Sequence, residues 1–184
     1  MKKIFFFACV AVFAAACNNS TESATSKSTD TSGTTTAAAE KMDYPYTLEK
    51  PYQNWQPGDQ KNVVTLLKGL KAFENGDIAA CMQSFGDSTE IFFDGFHAKL
   101  SHDSLQKTFT AQRAGYKSIV VKMIDWEPVI SADKKEEWVT IWYKQIQTDQ
   151  KGMTDSANVI NDARIKDGKI VTLNEYLQHY PAKK

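Results

Sequence analysis

The sequence predicts an α+β domain in which helices cover one face of a strongly bent antiparallel sheet. Three observations predict it. Apolar residues recur at helical spacing from Val63 to Phe73 and again towards Ala114. From Ser118 onward the pattern changes to long strands separated by short turns. The stretch from about Met42 to Lys184 has the length and apolar content of one domain with its own core.

The elements follow in order. Val63, Leu66, Leu67, Leu70 and Phe73 form one apolar stripe after a capping Asp59, and Asn75-Gly76 ends the helix. Asp77 caps a second, shorter helix with Ile78, Met82 and Phe85 on one face, which Gly86-Asp87 closes. A strand is expected at Thr89 to Asp94, a turn at Gly95 and a short return strand at His97 to Leu100. Ser101 begins a third helix that turns Leu105, Phe109 and Ala114 inward and ends at Gly115. Four strands complete the chain: Ser118 to Ile130, Glu137 to Thr148, Met153 to Ile165 and Lys169 to Leu177. Their turns, Ala132-Asp133-Lys134, Asp149-Gln150-Lys151-Gly152 and Asp167-Gly168, are short enough for an antiparallel meander.

The N-terminus carries an address. Lys2 and Lys3 precede an apolar run from Ile4 to Ala16 that is too short for the roughly 20 residues of a membrane-spanning helix. Ala14-Ala15-Ala16-Cys17 resembles the bacterial lipobox, in which the peptide is cut before a cysteine that then carries lipid; Ala14 stands where Leu is commonest, and a plain signal with Ala-x-Ala cleavage is the alternative. Asn18 to Glu40 is dominated by Ser, Thr and Ala with no aromatic or large aliphatic residue, so it cannot bury enough surface to offset its ordering entropy. The expected organisation is a signal peptide over 1–16, a lipidated Cys17 with a tether over 17–41, and a domain over 42–184. No acidic residue follows Cys17 directly, which resembles outer-membrane sorting on the periplasmic side of the bacterial envelope.

Charge and cysteine content exclude several classes. Net charge is zero and no basic block extends beyond Lys134-Lys135, so nucleic acid is not an expected partner. Cys9 leaves with the signal and Cys17 is consumed by lipid. Cys81, alone in an apolar helical stretch, reads as a buried thiol rather than a nucleophile, and no disulfide framework fits.

The run Leu66 to Ala80 with its Asn75-Gly76-Asp77, then Phe85-Gly86-Asp87, then Ile165 to Val171 with its Asp167-Gly168-Lys169-Ile170, resembles the nuclear-transport-factor-2-like superfamily in its SnoaL-like and ketosteroid-isomerase-like branches. The likeness spans roughly Gln60 to Leu177. It implies a cone whose open end leads into a pocket between the helices and the concave sheet. It does not fix function, since the superfamily holds isomerases, dehydratases, cyclases and non-enzymatic modules.

Carried over position by position, the isomerase groups are mostly missing. The general-base position falls on Phe93, with Asp94 beside it; the tyrosine position falls on Gly69; the oxyanion aspartate position falls on Asn161, whose amide still donates. Asp94 reaches the pocket only if the strand register slips by one or the strand end twists. Asn161 sits in the alternation Ala157, Val159, Asn161, Ala163, Ile165, a face expected to point inward, where its amide makes either a structural hydrogen bond or a ligand contact. Glu175 shares a face with Leu173 and Leu177, and is a second acid/base candidate if that face is inward. Asp94, His97, His102 and Asp103 lie close in sequence, but their spacing fits no metal motif. No cofactor or metal is expected.

Trp138, Thr140 and Trp142 share one face of their strand, and Val139, Ile141 and Tyr143 the other; with Trp126 on the preceding strand, the outer face is apolar enough to need a cover. That cover is either a second copy, giving a homodimer, or the aromatic segment Tyr44 to Trp55 folded back. The expected function is that of an envelope lipoprotein, held to the membrane through Cys17, whose domain binds a small hydrophobic molecule without catalysis. Phe93, His97, Val159, Asn161 and Leu173 are the expected ligand contacts. The alternatives are a lyase or isomerase acting on a small carbonyl compound, with Asp94 or Glu175 as base and Asn161 as oxyanion donor, and a dimerisation or assembly module of the envelope.

Overall fold

The computed structural model describes residues 43–48 and 53–179. The signal and tether readings, Cys17 included, lie outside the described residues. Contacts divide the chain into two units, Met1–Tyr46 and Thr47–Lys184. Of the first, only residues 43–46 are described, and their Tyr44 and Tyr46 are exposed.

In the second unit a two-residue strand β1 (Gln56–Pro57) leads into helix α1 (Gln60–Asn75), a short helix α2 (Ile78–Met82), strands β2 (Phe85–Phe93) and β3 (Phe96–Ser101), and helix α3 (His102–Ala114). Four long strands follow: β4 (Tyr116–Ile130), β5 (Glu137–Asp149), β6 (Thr154–Lys166) and β7 (Lys169–His179). No helix among the described residues is long and apolar enough to cross a membrane.

Local chemistry sets the helix ends. Asp59 accepts from the Lys61 amide at 2.8 Å, which satisfies one of the free donors of the first turn. At the other end Gly76 takes φ 81°, a left-handed turn in which a Cβ would be strained. Asp77 then accepts from the Ala80 amide at 2.9 Å and starts α2. The second helix is shorter than the periodicity predicts, because Phe85 to Asp87 open β2 instead of closing the helix. A pairing with the far end of the chain holds them there: the Ile170 amide donates to the Ser84 carbonyl at 2.8 Å and Phe85 stands opposite Ile170. Ala114, expected inward at the end of α3, is exposed.

All seven strands form one sheet in the order β1-β4-β5-β6-β7-β2-β3. The β4–β7 meander is antiparallel, as the short turns require, but β2 joins β7 in parallel, with Ile91 beside Leu173. The helices cover one face, where Leu66, Phe85, Ile91, Leu105, Ile141 and Ile170 make the core. Arg113 ties α3 to the end of α1 by donating to the Phe73 and Glu74 carbonyls at 3.0 and 3.2 Å and to that of Tyr116 at 2.7 Å. The guanidinium thus answers the Glu74 carbonyl at the end of α1 and shares that of Phe73 with the Gly76 amide.

On the other face Trp138 and Trp142 are half-buried, while Ile160 and Tyr176 are exposed. Trp126 does not join them, because a bulge between Met123 and Asp125 sets it opposite Ile141, in the register of the inner face. The back-folded cover also takes another form: Gln56–Pro57 pairs edge-on with Val129 and Ile130 as an added strand, and Leu48 and Trp55 remain exposed. Tyr52 lies outside the described residues.

Candidate functional site

The cone encloses a chamber whose void is about 630 Å³ with its open mouth included. About 70 Å³ of it is free to the centres of water-sized groups; one water needs roughly 10–15 Å³ on that measure, so the chamber admits several waters or one small molecule. Helix α1 forms a wall with Leu66, Gly69, Leu70 and Phe73. The stripe spacing of the helix brings these residues to one side. Gly69 packs closely on its neighbour: a Cβ on it would stand 3.1 Å from the Ser84 side chain.

Aromatic rings dominate the walls. Phe109 of α3 meets Phe73 and Phe85 edge to face, with centroids 5.6 and 5.3 Å apart. Phe93 of β2, Tyr116 of β4 and Tyr143 of β5 add three more rings. Cys81 lines the wall as well, but burial, and secondarily the Asp77 charge, push its thiol up to about 12, so it stays protonated and unreactive.

The polar groups collect where three strands run side by side. Register sets Ile141 opposite Asn161, and Asn161 opposite Glu175, so the amide and the carboxylate share the inner face. Directly opposed residues have Cβ atoms about 4.5–5.5 Å apart. Asn161 is buried and its Nδ2 donates to the Tyr143 hydroxyl at 3.2 Å, while its Oδ1 is buried with no partner. An unanswered buried carbonyl costs on the order of 1–3 kcal/mol, which a ligand donor would recover.

Glu175 takes no hydrogen bond or ion pair from the described residues, and burial alone pushes its carboxyl from 4.5 up to about 7. Tyr143 is pushed upward by burial first and by the Glu175 charge second, against the opposing pull of its bond to Asn161. Its hydroxyl therefore remains protonated and has an O–H to give. The cluster thus offers a carbonyl acceptor, a phenolic donor and a carboxyl group that changes charge near neutrality.

Of the residues expected from sequence, Phe93, Asn161, Leu173 and Glu175 line this chamber. The structure places the others elsewhere. Asp94 lies on the exposed turn between β2 and β3: the register of β2 against β7 shifts between Phe85 and Glu90, yet the strand ends at Phe93, in unbroken register with β3. It borders a surface groove that shares only Phe93 and Glu175 with the chamber. His97 is exposed, 2.9 Å from the Glu90 carboxylate, and its ring stacks on Phe92 with centroids 4.0 Å apart. Val159 is buried two residues before Asn161 on β6 and lines a different depression, shared with Ile124 and Trp142. His102 bonds the Met82 carbonyl at 3.1 Å, a packing role. No cluster among the described residues could hold a metal.

Sequence reasoning does not single out Tyr143, whose hydroxyl takes the Asn161 donor. The available signal is its place on an otherwise aliphatic strand face, where a buried phenol must find a partner.

No protein-family model and no curated protein matches the sequence. Solved structures do resemble the fold. An NTF2-like protein of unknown function from Exiguobacterium sp. 255-15 superposes with a TM-score of 0.51 at 17% identity, over 62% of this chain and 98% of that one. A protein described as a putative SnoaL-like polyketide cyclase, from Jannaschia sp. CCS1, gives 0.55 at 10% identity over 67% and 89%. A protein of ketosteroid-isomerase-like fold from Catenulispora acidiphila, in complex with trimethylamine, gives 0.50 at 11% over 61% and 83%. The fold is NTF2-like, with the curved sheet and covering helices of that superfamily.

Proposed function

We propose that the chain is an envelope lipoprotein, anchored through Cys17 ahead of a Ser/Thr-rich segment, whose cone binds a small, largely apolar molecule at the Asn161, Tyr143 and Glu175 end of the chamber. One observation carries the binding reading: an aromatic chamber ends at a buried carbonyl with no partner and a carboxyl group held near neutrality by burial. The resemblance to a fold neighbour that holds trimethylamine supports it. The anchor rests on the lipobox-like Ala14-Ala15-Ala16-Cys17.

Two experiments test this. Native mass spectra of the full chain, recorded before and after denaturation, are expected to show a small mass lost on unfolding; a chain that takes up no adduct even after exposure to a hydrophobic extract of its host cells contradicts the reading. The same spectra report whether two copies associate through the outer sheet face around Trp138, Trp142, Ile160 and Tyr176. For the anchor, Cys17→Ser is expected to release the protein from membranes, and continued membrane association rejects it.

A second reading is favoured by the charge state of Glu175. A carboxyl group that titrates near 7 beside a phenolic donor is suited to move a proton on a small carbonyl compound, with Glu175 as base and Tyr143 as the donor to the developing oxyanion. Asn161 then holds Tyr143 through one N–H of its Nδ2.

A further inference from the structure

The chemistry of the chamber wall constrains the ligand beyond its size, given the binding reading above. Its polar end is rich in acceptors. Asn161 gives its Nδ2 to Tyr143 and keeps a bare buried Oδ1. Gln145, on the same face of β5, gives its Nε2 to Gln147 at 2.9 Å, leaving its carbonyl oxygen. Glu175 adds two carboxylate oxygens that no described residue answers. Among the described residues no lysine, arginine or histidine lines the chamber, and burial keeps Tyr143 and Cys81 protonated and neutral.

We propose that the chamber's ligand is a small hydrophobic amine, bound as its ammonium ion, with the N–H groups on Glu175 and the Asn161 Oδ1 and the hydrocarbon against the phenylalanine rings. A ligand that ends in a carboxylate would bring like charge to Glu175 and leave the Asn161 Oδ1 unanswered, although Tyr116, Tyr143 and Gln112 supply donors elsewhere on the wall. An ammonium ion supplies donors to these acceptors and the countercharge that the half-buried carboxylate lacks. The rings of Phe73, Phe85, Phe93, Phe109, Tyr116 and Tyr143 line the chamber, and an aromatic face attracts a cation rather than an anion. Ion pairing here draws Glu175 into its ionised form, so the amine and the carboxyl group are linked in their protonation.

The test compares four probes on one ring frame: benzylammonium, benzyl alcohol, benzaldehyde and benzoate. Binding is measured calorimetrically on the full chain carrying Cys17→Ser, at about pH 8, where the amine is protonated. Benzylammonium is expected to bind on the order of tenfold more tightly than benzyl alcohol, with benzoate weakest. Glu175→Gln is expected to shrink that gap to about threefold or less, whereas Asp94→Asn, on the outer turn, keeps it. Circular dichroism of the Glu175→Gln chain confirms that it folds. Tightest binding by benzaldehyde, or an ammonium preference that survives Glu175→Gln, overturns the amine assignment and leaves the chamber a binding site. Failure of all four probes to bind overturns the binding reading, and the amine assignment with it.

Discussion

Glu175→Gln is expected to stabilise the folded domain at alkaline pH relative to its behaviour in acid. In the unfolded chain the carboxyl group ionises near its ordinary 4.5, whereas in the chamber burial holds it to about 7. Between those two values the folded state binds the extra proton, so stability falls as pH rises and then levels off above 7. Below about 4.5 both states carry the neutral acid and Glu175 contributes no pH dependence. The displacement corresponds to about 3 kcal/mol. Urea denaturation of both chains across this range is expected to show their stability difference growing in favour of the Glu175→Gln variant by about that amount. A difference independent of pH would mean that water reaches the carboxylate freely. Benzylammonium, paired with Glu175, is expected to remove most of the alkaline loss, because the ion then has its countercharge.

Ile91→Ala is expected to destabilise the domain by about 2–5 kcal/mol, among the larger losses available to a single substitution. Ile91 is fully buried in β2 and stands beside Leu173 in the parallel pairing that joins β2 to the last strand. Truncation leaves a void under that junction, and the flanking pairs, Glu90 with Thr172 and Phe92 with Asn174, hold the backbone apart so that the void cannot collapse. Leu173 lines the chamber two residues before Glu175, so ligand binding is expected to weaken in parallel. The midpoint of urea denaturation followed by tryptophan fluorescence checks the first effect. A loss below about 1 kcal/mol would show that the strand junction relaxes around the gap.

What can be read from sequence depends on whether the deciding interaction is local. The first helix is legible to the residue at its end because Asp59 and Gly76 act on their own neighbours. The meander is legible because its turns are short. Phe85 misleads because it continues the helical spacing of Ile78 and Met82, yet its partner Ile170 lies at the far end of the chain, and no local period reports such a pairing. The same limit applies to the site. The alternation around Asn161 marks its inward face, but the depth of Glu175 follows from its register opposite Asn161. Asp94 draws attention as a carboxylate next to a strand, while the strand ends at Phe93 and gives it to solvent. Tyr143 is hidden because both faces of β5 read as apolar.

Central to the site is a half-buried carboxyl group, raised in pKa by its burial, on the wall of an aromatic chamber beside an unanswered carbonyl. The direct measurement is a carbon-13 titration of the Glu175 side-chain carboxyl by NMR, with and without benzylammonium. A midpoint near 7 is predicted in the free protein, moving towards acid when the amine is bound. A midpoint at the ordinary 4.5, unmoved by the amine, would contradict it and make Glu175 a solvated strand residue.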